Sequence, residues 1–427
     1  MPRQPSVVGL SYRAGGVASA LHRVTLARMS FDSAAIRREF ALFDAHDGAT
    51  APAFFDSAGS TLRLRRALEC QAHFENHGVC VAATSGATAA QQYAQARERV
   101  ARFLGAAVDG IVFCRGATEA INLVAQSWGE RNVGAGDEIV VTGLEHCANL
   151  APWYALAQRT GARVRALPLD ADGTLVSDAG ATPFGTRTKL LAITHASNVT
   201  GSIPPLAPLI AAAHAAGAVV LVDGAQAVAR LPVDVAALGA DFYVFSGHKV
   251  YGPSGIGVLA ARRERLDAMP PWQLGANAIE RFLPPDVACA DPPARFEAGS
   301  ANIAGAVGLA AALDWLDGIG RDAVRAHEAA LSAQLFDGLS RIGRVRLLPA
   351  VGPRVPIMAF TLDGMDAAAL RDALLRRGIA LRAGDLAAAP LLEHFGVETA
   401  LRASIGVYTT SQDVERLCAA VAALAAD

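Results

Sequence analysis

The stretch FYVFSGHKVYGPSGIG, residues 242–257, decides the fold and centres on Lys249. Its apolar run 242–245 predicts a buried strand, and Ser246, His248 and Lys249 follow in a turn that the next glycines keep open. A lysine just past a buried strand is poorly solvated, so its pKa falls from about 10.4 toward neutrality. The pattern predicts a neutral, nucleophilic amine at a strand end; a surface lysine beside a glycine-rich turn is the alternative.

Lysine is almost absent from the rest of the chain. Of 38 basic residues only Lys189 and Lys249 are lysines, so arginine serves wherever a plain positive charge suffices. A guanidinium stays protonated and cannot form a Schiff base, whereas burial can deprotonate a lysine amine. The scarcity of lysine therefore favours a chemical role for Lys249.

Similar apolar segments, most of them flanked by Gly, Asp or Thr, precede this stretch, and helical stretches such as 117–128 and 206–216 lie between them. The segments are residues 111–114, 138–142, 164–167, 189–194 and 219–223. Strand–helix alternation at this spacing is typical of a parallel sheet covered by helices. We predict an α/β fold whose large domain, residues 31–298, holds a mostly parallel seven-stranded sheet.

The pattern of predicted helices and strands changes after Gly299. Residues 304–340 predict long Ala/Leu helices, 345–348 and 357–362 predict strands, and 366–377 and 412–425 predict further helices. We expect a smaller α+β domain at residues 299–427. The first 30 residues are expected to form a flexible N-terminal extension; their arginines without acids up to residue 28 also suit a transit peptide, and Met29 is an alternative start.

Composition excludes several classes of protein. With 427 residues, 52% of them hydrophobic and 18% charged, the chain suits a large buried core in two domains. A net charge of −2 gives no support for a nucleic-acid partner, and no uncharged apolar run is long enough for a membrane span. Six cysteines without CxxC pairs indicate neither a disulfide framework nor a zinc site, so a reducing, cytoplasmic location is expected.

The segment RGATE, residues 115–119, predicts an anion site because it follows a strand and opens a helix. Backbone N–H groups at Ala117 and Thr118, with the Thr118 hydroxyl, would form a cup for a phosphate ester, to which Ser246 and His248 can add hydrogen bonds. Thr118 could equally be a simple helix cap. Neither the dinucleotide fingerprint nor a P-loop occurs.

Four further polar residues follow predicted strands. Asp223 closes the strand 219–223, where a carboxylate could keep a pyridine nitrogen protonated, and Gln226 and Asn198 could reach a ring oxygen. His146 could stack on a ring and move protons. With the phosphate cup and Lys249 these residues match what pyridoxal 5'-phosphate (PLP) requires.

The chain resembles the fold type I, class V aminotransferase family, and within it the group II cysteine desulfurases and selenocysteine lyases. The resemblance runs from about Phe31 to the C-terminus and rests on RGATEAINLVAQSWG, LEHCAN, ITHASNVTG, VDGAQAV and FYVFSGHKVYGPSGIG. It implies that Lys249 is the Schiff-base lysine and, with His146, catalytic. It also implies cofactor contacts from Thr118, Ala117, Asn198, Asp223, Gln226, Ser246 and His248.

The resemblance extends to substrate and assembly. Arg402, Arg382 and Asn198 match residues near the substrate, and a guanidinium fork suits a substrate carboxylate. Ser300, in RFEAGSAN, matches a hydroxyl residue that reaches the partner subunit's phosphate, which implies a homodimer with shared active sites. A sulfur-acceptor protein is a further expected partner.

The chain departs from the family where the catalytic cysteine is expected. Ala387 occupies that place in RAGDLAAAPLL, and Asp385 and Leu386 replace a histidine pair. Residues 79–88 are slightly shorter than the family pattern and lack its entrance histidine. Because alanine cannot accept sulfur, we expect C–S or C–Se cleavage of a cysteine-type amino acid by β-elimination, giving pyruvate, ammonia and a released sulfur species.

Three alternatives stay open. Cys147, Cys80 or Cys114 could replace the missing thiol. The chain could instead be an aminotransferase or epimerase acting on another amino acid, or a non-catalytic PLP-binding paralogue.

Overall fold

The computed structural model describes residues 31–44, 51–77, 86–176 and 183–426. The predicted extension 1–30, Cys80 and most of the segment 79–88 therefore lie outside the described residues.

The described residues form fifteen strands. In chain order they are β1 (Ala53–Phe54), β2 (Ile111–Cys114), β3 (Glu138–Thr142), β4 (Arg163–Leu167), β5 (Thr188–Thr194), β6 (Val219–Asp223), β7 (Phe242–Ser246), β8 (Gly257–Ala261), β9 (Ile279–Leu283), β10 (Asp286–Cys289), β11 (Val345–Leu347), β12 (Ile357–Leu362), β13 (Ile379–Ala380), β14 (Arg382–Gly384) and β15 (Ala400–Ser404).

The same residues form fourteen α-helices. They are α1 (Ser33–Arg37), α2 (Arg65–His77), α3 (Gly86–Leu104), α4 (Ala117–Val124), α5 (Glu130–Asn132), α6 (Ala151–Thr160), α7 (Leu206–Ala215), α8 (Val235–Leu238), α9 (Arg263–Ala268), α10 (Ile303–Ile319), α11 (Arg321–Ser340), α12 (Ala367–Leu375), α13 (Ala389–His394) and α14 (Ser411–Ala426).

The main sheet has seven strands in the order β2-β8-β7-β6-β5-β3-β4. Only β8 runs antiparallel to its neighbours; the other pairs are parallel. Alternate residues of β6 enter different cores, Val220 and Val222 on one face and Val219 and Leu221 on the other. Burial on both faces explains the continuous apolar runs, and the predicted α/β fold with its mostly parallel sheet is confirmed.

A second sheet of four antiparallel strands, β11-β12-β15-β14, lies in the C-terminal part. It shares a core with α11, α12 and α14 that includes Phe360, Leu401 and Leu417. β1 pairs in parallel with β13, and Ala53 and Phe55 enter this same core. A short N-terminal segment thus crosses to the C-terminal core, while the domain boundary near residue 298 stays a prediction.

Among the described residues no single helix is long and apolar enough to cross a membrane. Helices α10 and α11 reach that length and apolar composition only when they are taken together, and they are bent by 77° at their junction.

Candidate active site

Lys249 and Asp223 follow neighbouring strands at the same edge of the main sheet. Lys249 lies in a single turn, Gly247–Lys249, directly after β7, and Asp223 ends β6 opposite Val244 of β7. Burial lowers the pKa of Lys249 to about 8, against the opposing effect of the Asp223 carboxylate. The amine is therefore far more often neutral than an exposed lysine at the same pH.

The Asp223 carboxylate is buried, with 5% of the residue exposed. One of its oxygens accepts a hydrogen bond of 2.9 Å from the Ala225 N–H. Burial raises its pKa, while the Lys249 cation works in the opposite direction. A buried anion at a strand end is suited to hold a cationic ring nitrogen.

His146 begins the turn Cys147–Asn149 that follows β3. Its Nδ1 accepts from the Ala148 N–H at 3.1 Å, which assigns the proton of the neutral ring to Nε2. Burial lowers the pKa of His146 to about 4, and the Lys249 and Arg402 cations add to that effect. A neutral imidazole results, able to pack flat on an electron-poor ring.

The buried side chain of Glu145, which no sequence motif predicted, holds the His146 turn in place. Glu145 accepts hydrogen bonds from the Thr142 hydroxyl at 2.6 Å, the Asn149 amide at 2.6 Å and the Thr194 N–H at 2.9 Å. These bonds tie the end of β3 to β5. The only sequence feature that could have pointed to Glu145 is its place directly before His146 in LEHCAN.

The start of α4 and the end of β7 form the predicted phosphate cup. The Ser246 hydroxyl accepts from the Ala117 N–H at 2.8 Å, and Thr118 is exposed beside it. A Cβ at Gly257 would lie 2.4 Å from the Gly116 Cα, so glycine there lets β8 pass close under the loop. An anion at this place would meet a helix N-terminus and the Ser246 hydroxyl together.

His248 is held by two residues, Ser60 and Thr61, that no sequence motif predicted. The Ser60 hydroxyl lies 3.0 Å from His248 Nδ1, and the Thr61 N–H and hydroxyl each donate to the His248 carbonyl at 3.0 Å. Burial lowers the pKa of His248 to about 4, with the Lys249 cation as the next cause. A neutral ring can donate only one hydrogen bond to a phosphate.

Arg402 and Asn198 lie together at the substrate side. The Arg402 guanidinium donates to the Asn198 carbonyl at 3.1 Å and to Asp56 at 3.0 Å, and Asp56 also pairs with Arg382 at 2.8 Å. The buried Arg402 Nε and Asn198 Oδ1 have no hydrogen-bond partner among the described residues. Buried polar atoms are normally satisfied, so both fit a polar ligand. The contact with Asp56, 346 positions away in sequence, was not predicted.

Gln226 and Ser300 are the remaining predicted site residues, and both have contacts other than the predicted ones. The Gln226 amide donates to the Ala58 carbonyl at 2.8 Å and accepts from Arg230 at 3.3 Å. Ser300 is exposed and borders a cleft of about 360 Å³ with Cys114. Its contact with a partner subunit stays a prediction.

Ala387 lies in a tight loop against the His146 turn. Leu386 and Ala387 have φ of 54° and 52°, and the Asp385 carboxylate accepts from the Ala387 N–H at 3.1 Å. The Leu386 carbonyl accepts from Asn198 at 2.8 Å, and the Ala387 carbonyl accepts from the Cys147 N–H at 2.7 Å. These backbone hydrogen bonds hold Ala387 beside the His146 turn, while its correspondence to the family's catalytic cysteine stays a prediction.

Two of the alternative cysteines lie in different surroundings. Cys147 is exposed, with Sγ 3.9 Å from His146 Nδ1. Cys114 is buried at the end of β2, and burial raises the pKa of its thiol well above the usual value, which makes it a poor nucleophile.

Comparison with known proteins agrees with this geometry. The profile of the class-V aminotransferase family matches residues 53–417. The chain belongs to this family. A cysteine desulfurase of Cronobacter sakazakii is 43% identical over 92% of the chain and 98% of that protein. A longer cysteine desulfurase of Synechococcus elongatus is also 43% identical, and the chain spans 64% of its length.

Solved structures of similar proteins extend the comparison. The Escherichia coli cysteine desulfurase CsdA has a TM-score of 0.85 and 38% identity, covering 92% of this chain and 98% of that one. The cystine C–S lyase C-DES, solved with its product cysteine persulfide, has a TM-score of 0.76 and 26% identity over 87% of this chain and 98% of its own. The chain is a PLP-dependent enzyme of the class-V family, and the lysine of lowered pKa, the buried carboxylate and the unpartnered polar atoms described above fit that cofactor.

Proposed function

We propose that this enzyme cleaves the C–S or C–Se bond of a cysteine-type amino acid by β-elimination. The observation that carries the proposal is the methyl group of Ala387 at the place where a persulfide-forming thiol is expected. Without that thiol, sulfur leaves most readily when it already carries a good leaving group, as in a disulfide. The cystine C–S lyase C-DES shares the fold, which supports the same reaction class.

Each residue has a part that follows from its surroundings. PLP, when bound, withdraws electrons from the substrate Cα. Lys249 would hold the cofactor, and its readily deprotonated amine would then take the Cα proton. Asp223 would keep the ring nitrogen protonated, and neutral His146 would cover the ring face. Arg402 would bind the substrate carboxylate.

The bond changes balance without a protein thiol. The Cα proton moves to the Lys249 amine, the Cβ–S bond breaks, and its electron pair leaves with sulfur. Hydrolysis of the remaining three-carbon fragment gives pyruvate and ammonia. Substrates with a poor leaving group, such as cysteine itself, should react more slowly than cystine.

A second candidate is desulfuration with Cys147 as the sulfur acceptor. Its support is the backbone hydrogen bond between Cys147 and Ala387, which brings the two residues together, and the exposure of Cys147. The thiolate would attack the substrate sulfur, the Cβ–S bond would break, and protonation of the carbon fragment would yield alanine and a Cys147 persulfide.

Product analysis separates the two candidates. The holoenzyme is incubated with cystine, cysteine and selenocysteine, and pyruvate, ammonia and alanine are quantified for wild type and Cys147→Ser. Pyruvate as the main product, unchanged in the variant, supports β-elimination. Alanine that disappears in Cys147→Ser supports the second candidate, and a keto acid formed by amino transfer contradicts both.

Assembly and location are also part of the proposal. We infer a homodimer in which Ser300 reaches the partner's phosphate site, a protein that accepts the released sulfur, and a reducing cytoplasmic setting, in keeping with free thiols at the five described cysteines.

A further inference from the structure

A separate cleft of about 600 Å³ lies where α11 meets the loops around residues 230 and 354. Its volume is within the range of small-molecule sites. Its walls are mainly apolar, with Ile203, Leu231 and Val355 among them. None of its lining residues belongs to the cofactor or substrate set described above.

Two buried groups of opposite charge line this cleft, Arg230 at 3% exposure and Glu328 at 2%. Arg230 Nε and Glu328 Oε1 have no hydrogen-bond partner among the described residues. Within the described part of the chain, Arg230 donates only to the neutral carbonyl and side-chain oxygens of Gln226, at 3.1 and 3.3 Å. Burial raises the pKa of Glu328 to about 7, and the Arg230 cation works in the opposite direction, so the two groups interact electrostatically. Neither unpartnered atom is hydrogen-bonded, however, and a buried polar atom without a hydrogen-bond partner is costly, so both atoms require one.

We propose that this cleft binds a small zwitterionic amino acid, whose carboxylate accepts from Arg230 and whose ammonium donates to Glu328. One ligand then satisfies both unpartnered atoms, while its side chain contacts the apolar walls. Water could complete the hydrogen bonds but would make no apolar contact with the walls of a cleft of about 600 Å³. Asp322, Arg325 and Arg354 lie at the rim, so the mouth also carries both signs of charge. The inference does not rest on the proposed C–S cleavage.

The test uses L-proline, a zwitterion whose secondary amine cannot form a neutral imine in exchange with Lys249. Isothermal titration calorimetry on the holoenzyme should show saturable binding of one proline per chain in the millimolar range. Acetate has no ammonium and ethylammonium no carboxylate, so each should bind at least about tenfold more weakly. No saturable heat at tens of millimolar proline, or acetate binding as tightly as proline, overturns the proposal.

Variants locate the site. Arg230→Met and Glu328→Gln should each weaken proline binding at least about tenfold, because each leaves one buried charge unpaired. Asp337→Asn, an exposed change on the same helix α11, should leave binding unchanged. Unchanged affinity in both cleft variants contradicts the inference. If either variant fails to fold by circular dichroism, the acetate and ethylammonium titrations on wild type still decide the question, and none of these readouts depends on turnover.

Discussion

The N–H of Cys147 donates a 2.7 Å hydrogen bond to the carbonyl oxygen of Ala387. This bond joins the turn after β3, which carries His146, to the loop after β14. The Asn198 amide adds a second bond to the same loop at the Leu386 carbonyl, 2.8 Å away. The loop that carries Ala387, where we predict the family's cysteine to be replaced, is therefore tied by hydrogen bonds to the His146 turn and to Asn198.

Restoring a thiol at residue 387 should change the reaction. In Ala387→Cys we expect alanine to become a major product from cysteine, with a persulfide on the new side chain detected by mass spectrometry. Alanine already adopts the left-handed φ of 52° there, so another residue with a Cβ adds little backbone strain. Ala389→Cys places an exposed thiol two residues away and is the matched control, expected to give no alanine. Equal alanine from both variants would mean that position 387 has no special access to substrate sulfur.

The protonation of Lys249 predicts how cofactor capture depends on pH. Since burial lowers the pKa of its amine to about 8, the neutral form increases as pH rises through 8 instead of through about 10.4. The rate of Schiff-base formation by the cofactor-free enzyme, followed by absorbance, should reach half its maximum near pH 8. In Asp223→Asn the midpoint should move lower, because the carboxylate raises the pKa of Lys249. A midpoint near 10 in wild type contradicts this account.

Borohydride reduction identifies the amine directly. We expect the reduced cofactor on the peptide containing Lys249 in wild type and none on Lys249→Arg, since a guanidinium does not form an imine. Turnover should fall by about 10²–10⁴-fold in Lys249→Arg when the proton-transferring amine is lost. Lys189→Arg is the matched control; Lys189 lies 3.8 Å from Asp137 in a partly exposed ion pair and should tolerate the change. Label on residue 189 would be evidence against the site.

Local sequence patterns predicted most of the strands of the main sheet and the residues at the strand ends. Buried parallel strands produce continuous apolar runs, so all six strands predicted for the large domain agree with the main sheet. β8 (Gly257–Ala261) was not identified individually, because its alanines and glycine are ambiguous. The strand-end rule brought Lys249 and Asp223 together. Asp56 was missed, because its contacts with Arg382 and Arg402 span more than 300 positions and leave no local signal.

Arg382 and Arg402 lie opposite each other on β14 and β15 and predict different mutational costs. The Arg402 side chain is 5% exposed and that of Arg382 51%. Arg402→Lys loses the planar fork in a buried place, so KM should rise roughly 30-fold or more with a smaller change in kcat. Arg382→Lys should change KM less than about fivefold, because exposed pairs contribute little. Equal effects in steady-state assays would show that burial does not distinguish the two arginines.

Glu145 should matter for stability although it touches no predicted ligand. All three hydrogen-bond partners of Glu145 are donors. The Asn149 amide cannot rotate to offer its oxygen instead, because that oxygen already accepts from the Trp153 indole at 3.1 Å. Burial raises the pKa of Glu145 to about 8, so above that pH the side chain is an anion that accepts all three bonds. Above that pH, Glu145→Gln sets an NH₂ group against the Asn149 amide and should lower the free energy of unfolding by about 1–3 kcal/mol. Urea unfolding measures this, with the exposed Glu264→Gln as a control expected within about 0.5 kcal/mol of wild type. If Glu145→Gln is as stable as that control, the carboxylate does not hold the His146 turn.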